Sequence, residues 1–411
     1  MSLSGPLLVV ADAPAVELVQ ALSAGGAFPI VESTWADSPT AFASVRPAAV
    51  VVAAPDAPPS DSAARMLCLQ IATASGPVVP VIGVTEAGRE PALPIALPAD
   101  GIAPCDRLIA RLQSVLRVRE QHAAVLRRAD AAIAEALTVT DALDEATVLI
   151  AGRGSLSQAI GDALGRVKTV RTVSVEGAAK HLNGRDIDGV IVGDGLSPLM
   201  IDAFLAALAD DARFRDLPVA VIGRLGHAIP ATLPNVDHVA ADARTIVARM
   251  LPMIRLHAFG SRLARALAAL DAGGAIDAET GLMTPDAFAH ELSLAIAAAS
   301  DRSQPLSLAH FSFDGLDARA AFEAARMVTR LVRTVDFAGR DETGAILMAF
   351  TQTDLRSAHV IARRIAGALK SAMPGPAQAV AANVTLATWK AGDTVDTLML
   401  RVLGTHMVAA E

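Results

Sequence analysis

Thr147-Val148-Leu149-Ile150, Gly189-Val190-Ile191-Val192 and Pro218-Val219-Ala220-Val221-Ile222 are three short apolar runs separated by stretches of helical pattern. Runs of this length, rich in β-branched residues, read as buried strands, and their alternation with helices reads as βαβ units around a parallel sheet. The same order stands earlier in the chain. Leu7-Leu8-Val9-Val10 is followed by a helical pattern from Ala15 to Leu22, then Ala49-Val50-Val51-Val52, a helical Ala63 to Ala74, and Val78 to Val84. A repeat with so long a period is a duplicated domain and not a solenoid array.

The 411 residues exceed one ordinary core, so several modules are expected, and three is the working number. A formal net charge of -8, with no long Lys/Arg run, offers no field for a polyanion, so DNA is not an expected partner. Hydrophobic residues make up 53%, largely alanine and short valine runs that proline and charge interrupt well short of a membrane span. Met1 to Pro14 lacks the basic and long apolar regions of a signal peptide. A cytoplasmic protein without a membrane segment is expected. Cys68 and Cys105 have neither metal-site nor disulfide-framework spacing, and His122, His310 and His406 stand isolated, so no metal site is expected.

Both copies resemble response-regulator receiver domains, a flavodoxin-like fold with a parallel sheet. The resemblance implies two carboxylates after the first strand that hold Mg²⁺, an acceptor aspartate after the third, and a Thr/Ser and a Lys that stabilise the phosphoryl group. In the first copy these places read Ala11-Asp12, Ala53 and Ala103-Pro104, with Thr85 alone in place. In the second they read Ala151-Gly152, Gly193, Gly223 and Ala240. Alanine and glycine neither ligate nor attack, so phosphorylation is expected in neither copy. Asp12 and Asp194 read as strand-end or turn residues.

Helical patterns continue past each copy, from Asp106 to Leu137 and from Ala241 to Leu270. A packed inter-domain helix and a dimer-forming coiled segment are both open, since the heptads are not sustained.

After Gly273-Gly274 comes Asp277-Ala278-Glu279-Thr280-Gly281-Leu282-Met283-Thr284-Pro285-Asp286-Ala287-Phe288. It is followed by an apolar strand Leu306 to Asp314, a helix Ala320 to Leu331, Arg333-Thr334-Val335-Asp336, a strand Ala345 to Phe350, and a helical Ala358 to Leu369. The order resembles a GGDEF domain, an α+β nucleotidyl-cyclase-like fold. In a gapless reading Arg333-x-x-Asp336 falls on the R-x-x-D inhibitory site, Arg340 on the arginine before the signature, and Glu342-Thr343-Gly344-Ala345-Ile346 on the signature itself. Gly339-Arg340-Asp341-Glu342-Thr343 also looks like the signature, but that register would need an insertion before the strand.

The resemblance also implies what is missing. A diguanylate cyclase joins two GTP molecules with Mg²⁺ held by carboxylates, and glycines let the backbone approach the phosphates. Ser312 replaces the first-strand metal ligand, with Asp314 two residues on, and Gly344 and Ala345 replace the signature carboxylates. The nucleotide-gripping segment after the first strand has no counterpart, and Asp393 to Val402 departs from the family's ending. Cyclic di-GMP synthesis is not expected. The inhibitory-type site, in contrast, keeps Arg333, Asp336 and Arg364, with Arg340 and Arg363 as possible accessories. Arginine forks suit phosphate or the guanine edge, and a carboxylate accepts from guanine N1 and N2. Spacing i, i+3 places Arg333 and Asp336 on one face near a helix end.

The whole order resembles PleD-type regulators, with the PopA-like receptor branch in its lost cyclase residues. It divides the chain into receiver-like domains at 1–118 and 144–256, helical linkers at 119–143 and 257–273, and a GGDEF-like domain at 274–411. The implied function is a cyclic di-GMP receptor that needs no cofactor and acts on a protein partner the sequence does not name, with a homodimer possible. Two alternatives stand beside it: a residual cyclase using Asp314 with Glu342 or Asp341, and a ligand-free scaffold that pairs with an active homologue.

Overall fold

Inner strands without a polar side, such as Val50-Val51-Val52, can be buried only between two layers of helix, and that is how the chain uses them. The computed structural model describes residues 5–53, 61–85, 97–100, 105–129, 131–193, 195–302, 304–313, 318–333, 335–341, 343–372 and 382–404. They form two units, one of residues 1–180 and 187–264, the other of residues 181–186 and 265–411.

The first unit begins β1 (Leu7–Val10), α1 (Val16–Ala24), β2 (Ile30–Ser33), α2 (Ser38–Val45), β3 (Ala49–Ala53), α3 (Asp61–Thr73), β4 (Val81–Thr85), β5 (Leu97–Asp100) and α4 (Cys105–Arg128). The sheet order is β2-β1-β3-β4-β5, all parallel, the flavodoxin-like arrangement. Period-two alternation splits the strands between layers: Leu7, Val9, Ala49 and Val51 meet α1 and α4, while Leu8, Val10, Val50 and Val52 meet α2 and α3.

After α5 (Ala131–Val139) the cycle repeats as β6 (Thr147–Ala151), α6 (Ser155–Ala163), β7 (Lys168–Thr172), α7 (Val175–Gly184), β8 (Gly189–Val192), α8 (Pro198–Asp210), β9 (Val219–Ile222), β10 (Val236–Val239) and α9 (Ala243–Asp271). Its sheet order, β10-β9-β8-β6-β7, is the same arrangement read from the other edge. α4 runs through residue 118 and α9 through residue 256 without a break. One apolar cluster takes in the α1/α4 face of the first sheet and the α6/α9 face of the second.

Arg111 on α4 lies within this packing, 2% exposed. Its guanidinium donates to Asp237 Oδ1 at 2.7 Å and to the Pro234 carbonyl at 3.0 Å. Asp237 Oδ1 also accepts from Arg107 at 3.3 Å, so the costly removal is that of Asp237, which leaves the buried Arg111 charge without its carboxylate at a cost of about 3–5 kcal/mol.

The remaining elements are α10 (Pro285–Arg302), β11 (Leu306–Phe313), α11 (Ala318–Leu331), β12 (Phe337–Arg340), β13 (Ile346–Thr351), α12 (Leu355–Ala372), β14 (Ala382–Thr388) and α13 (Val395–Leu403). Their antiparallel sheet has the order β12-β13-β11-β14. Alternation sends Ile346, Met348 and Phe350 toward α11 and α12, and Leu347 and Ala349 toward α10 and α13. Among the described residues no helix is long and apolar enough to cross a membrane.

Candidate functional site

The Asp277–Leu282 string is a strap at the edge of the antiparallel sheet. Asp277 Oδ2 accepts from the Thr280 hydroxyl at 2.6 Å and Oδ1 from the Glu279 N–H at 3.1 Å, and Gly281 takes the positive φ of 75° that the turn requires. Beyond the turn, the Met283 N–H donates to the Ala338 carbonyl, and Met283 O accepts from the Arg340 N–H, so the strap lies along β12. Asp277 also pairs with Arg340 at 3.5 Å, and the Arg340 guanidinium covers the Phe322 ring at 5.1 Å. Arg340 is therefore committed inside the module.

The hairpin settles which glycine belongs to the turn. Gly339 and Arg340 are paired within β12, and a Cβ on Gly339 would meet the Phe288 ring at 2.8 Å. That glycine is there for packing, which removes the reason to read Gly339–Thr343 as a phosphate loop. The turn itself runs from Asp341 to Ala345, with Gly344 at φ 86°.

Asp341 closes this turn from within. Its Oδ1 accepts from Thr343 N (2.9 Å), Thr343 Oγ1 (2.7 Å) and Ala345 N (3.0 Å). Its Oδ2 lies 3.1 Å from His310 Nε2 on β11. Burial alone would raise this carboxyl, but the bonds from His310, Thr343 and Ala345 outweigh burial and hold it below the usual range. Both oxygens are in use, so Asp341 is a turn brace and not an open metal ligand. His310, read from sequence as isolated, is its buried partner; no short-range pattern links residues so far apart in the chain. Asp314, Glu342, Asp194, Ala103-Pro104 and His406 lie outside the described residues.

The inhibitory-type string differs from its expected form. α11 ends at Leu331, before Arg333, and the Asp336 N–H donates to the Arg333 carbonyl at 3.0 Å just ahead of β12. The shared helix face inferred from i, i+3 spacing does not exist, because Asp336 is recruited to the sheet. Its Oδ1 accepts from Thr351 N at 3.0 Å and Thr351 Oγ1 at 3.4 Å. The residue is 7% exposed, and its buried Oδ2 has no hydrogen-bond partner among the described residues. Burial raises the carboxyl above its usual value, against the Thr351 bonds and the nearby Arg333 charge. Arg333 is exposed, as are Arg363 and Arg364 on α12.

In the first unit, Ala53 ends β3 and Gly193 follows β8, as the receiver-like reading places them. Gly193 has φ 149°, and a Cβ there would lie 1.7 Å from the Ile222 carbonyl oxygen. No side chain fits at that position. Asp12 is exposed, and among the described residues no three His, Cys, Asp or Glu side chains gather as a metal site.

No protein-family model matches the chain, and no curated protein matches it. Solved GGDEF domains are among the structures it resembles. The coiled coil and GGDEF domain of DgcB from Caulobacter crescentus, in complex with c-di-GMP, is 20% identical over 36% of this chain and 86% of that one, with a TM-score of 0.32. Diguanylate cyclase SiaD from Pseudomonas aeruginosa, in complex with its activator SiaC, is 21% identical over 36% of this chain and 63% of that one, at 0.30. The FimX GGDEF domain from Pseudomonas aeruginosa is 15% identical over 33% and 93%, at 0.29.

Proposed function

We propose that the C-terminal module is a GGDEF-like receptor for cyclic di-GMP without cyclase activity, and that the two flavodoxin-like copies are receiver-like domains that take no phosphoryl group. The observation that carries the receptor reading is the division among the module's arginines. Arg326, Arg340 and Arg401 are tied to Glu279 O, Asp277 and Asp393. Arg333, Arg363 and Arg364 are exposed, and none has a hydrogen bond or ion pair among the described residues. Guanidinium forks held in solvent are suited to a ligand with two phosphates and two guanine edges.

In this reading Arg333 and Arg364 contact the ligand, Arg363 is an accessory, and Asp336 positions Arg333 by fixing the turn to β13. Ligand occupancy is passed to a protein partner. The engaged Asp341, with Gly344 and Ala345 in the signature, supports the lack of cyclase chemistry.

The test is a pair of assays on the full chain. Calorimetry with cyclic di-GMP is expected to show saturable binding, and incubation with GTP and Mg²⁺ or Mn²⁺ is expected to yield no cyclic di-GMP above a no-protein blank. Product formation abolished by Asp314→Ala would replace this reading with the residual cyclase; heat-silent titration without turnover would favour the scaffold.

A further inference from the structure

The first unit contains a cleft of about 840 Å³ that plays no part in the reading above. Its walls come from the Gly76–Val81 segment, the last turns of α4, the end of α5 and one face of α9. Pro252, Arg255, Leu256 and Phe259 supply that face at the i, i+3, i+4, i+7 spacing of a helical stripe. Pro77, Val79, Leu126 and Leu137 continue an apolar lining. Ligand pockets commonly have volumes of about 300 to 1,000 Å³, mostly apolar with a few placed polar groups.

The placed polar group is His122, which lines the cleft and is 6% exposed. Its Nδ1 accepts from the Val78 N–H at 3.0 Å, so the neutral ring carries its proton on Nε2. The Nδ1 bond is the ring's one hydrogen bond among the described residues, so the Nε2–H makes none there. Burial, and then the neighbouring Arg119 charge, lower the ring's pKa, which keeps it a neutral donor. Phe259 holds it edge-on, with ring centroids 5.1 Å apart.

The cations here are already used. Arg119 donates to the Pro77 and Val78 carbonyls, both at 2.8 Å, and Arg255 forks onto Asp141 at 3.0 and 3.1 Å. Glu135 on the rim is exposed. An anionic ligand such as a nucleotide would find an uncommitted carboxylate and no uncommitted guanidinium.

We propose that this cleft binds an uncharged, mainly apolar small molecule whose hydrogen-bond acceptor takes the Nε2 proton of His122. Such an occupant lies on α9 around Pro252, where the helix lacks a backbone donor and is least held by its own hydrogen bonds. The chain would then carry a ligand site in its first unit that is independent of the arginines in the second.

The neutral ketone dye prodan is the probe, titrated into the full chain and read by its emission. A blue-shifted, saturating signal at one dye per chain is expected. Leu256→Trp and Leu137→Trp fill the cleft from opposite walls, and each is expected to weaken binding by about tenfold or more. His122→Phe keeps a ring against Phe259 but removes the donor, and is expected to cost about two- to tenfold. Circular dichroism establishes that each variant is folded. The proposal is overturned by absence of saturable binding, by binding unchanged in both folded tryptophan variants, by indifference to His122→Phe, or by the anionic dye 1-anilinonaphthalene-8-sulfonate displacing prodan as the tighter ligand.

Discussion

The end of β8 and the turn between β12 and β13 each lack an acid that the resemblance calls for, and they lack it in different ways. At β8 the backbone has closed the space, since Gly193 has φ 149° and any Cβ would meet the Ile222 carbonyl. At the hairpin the obstruction is milder: Gly344 has φ 86° and a Cβ there would lie 3.1 Å from the Arg340 guanidinium, a side chain and not backbone, while Ala345 carries no acid and Asp341 turns inward to hold the loop. The first loss is fixed by the fold. The second is confined to the turn, which joins Arg340 to Ile346 at the far end of the hairpin from Arg333.

The largest effect is expected from Gly193→Asp. A clash with backbone at positive φ cannot be relieved by a rotamer change, so a loss of about 3 kcal/mol or more is expected, read as a fall in Tm of several degrees by calorimetry. A stable Gly193→Asp protein that takes label from acetyl phosphate would erase the contrast. Next comes Asp336→Ala, which leaves the Thr351 N–H unpaired and is expected to cost about 1–3 kcal/mol in urea melts. Asp336→Asn keeps an acceptor for that N–H and is expected to cost less than half as much; equal losses would show that the brace is not what matters.

Acid is expected to act on the two carboxylates in opposite senses. Asp341 has a lowered folded pKa, so its contribution is present above the ordinary carboxylate value of about 3.9 and is lost as pH falls through the folded one. Asp336 has a raised folded pKa, so its protonated form favours the fold at low pH, and that contribution is lost as pH rises through the folded value. Urea melts from neutral pH down to about pH 3 should therefore show a shallower acid loss in Asp341→Asn and a steeper one in Asp336→Asn than in the parent chain. The same slope in all three would contradict both assignments. The smallest effect on stability is expected from Arg333→Ala and Arg364→Ala, within about 0.5 kcal/mol, since both side chains are exposed.

What the sequence reveals of the fold follows burial. The strands recognisable as apolar runs, β1, β3, β4, β6, β8, β9, β11 and β13, are the inner strands of the three sheets. The strands that escape notice, β2, β5, β7, β10, β12 and β14, are the edges. An edge strand such as Lys168-Thr169-Val170-Arg171-Thr172 buries one residue of five and has no continuous apolar run to display. Arg111 has a mark in the sequence: Leu108-Ile109-Ala110-Arg111-Leu112 on α4 matches Ile246-Val247-Ala248-Arg249-Met250 on α9, and both arginines are buried. An arginine inside an apolar helical face, repeated in the second copy, is a signal for a buried pair. The candidate site was legible as a set of residues but not as geometry, because Asp336 is defined by Thr351, fifteen positions along the chain.

The most direct measurement is a calorimetric titration of cyclic di-GMP into the parent chain, Arg333→Ala, Arg364→Ala and Asp336→Asn. If the exposed arginines hold the ligand and Asp336 only braces the turn, each arginine variant loses about ten- to hundredfold in affinity while Asp336→Asn stays within about threefold of the parent. Absence of binding by the parent at tens of micromolar ligand, or affinity indifferent to both arginine variants, would contradict the account.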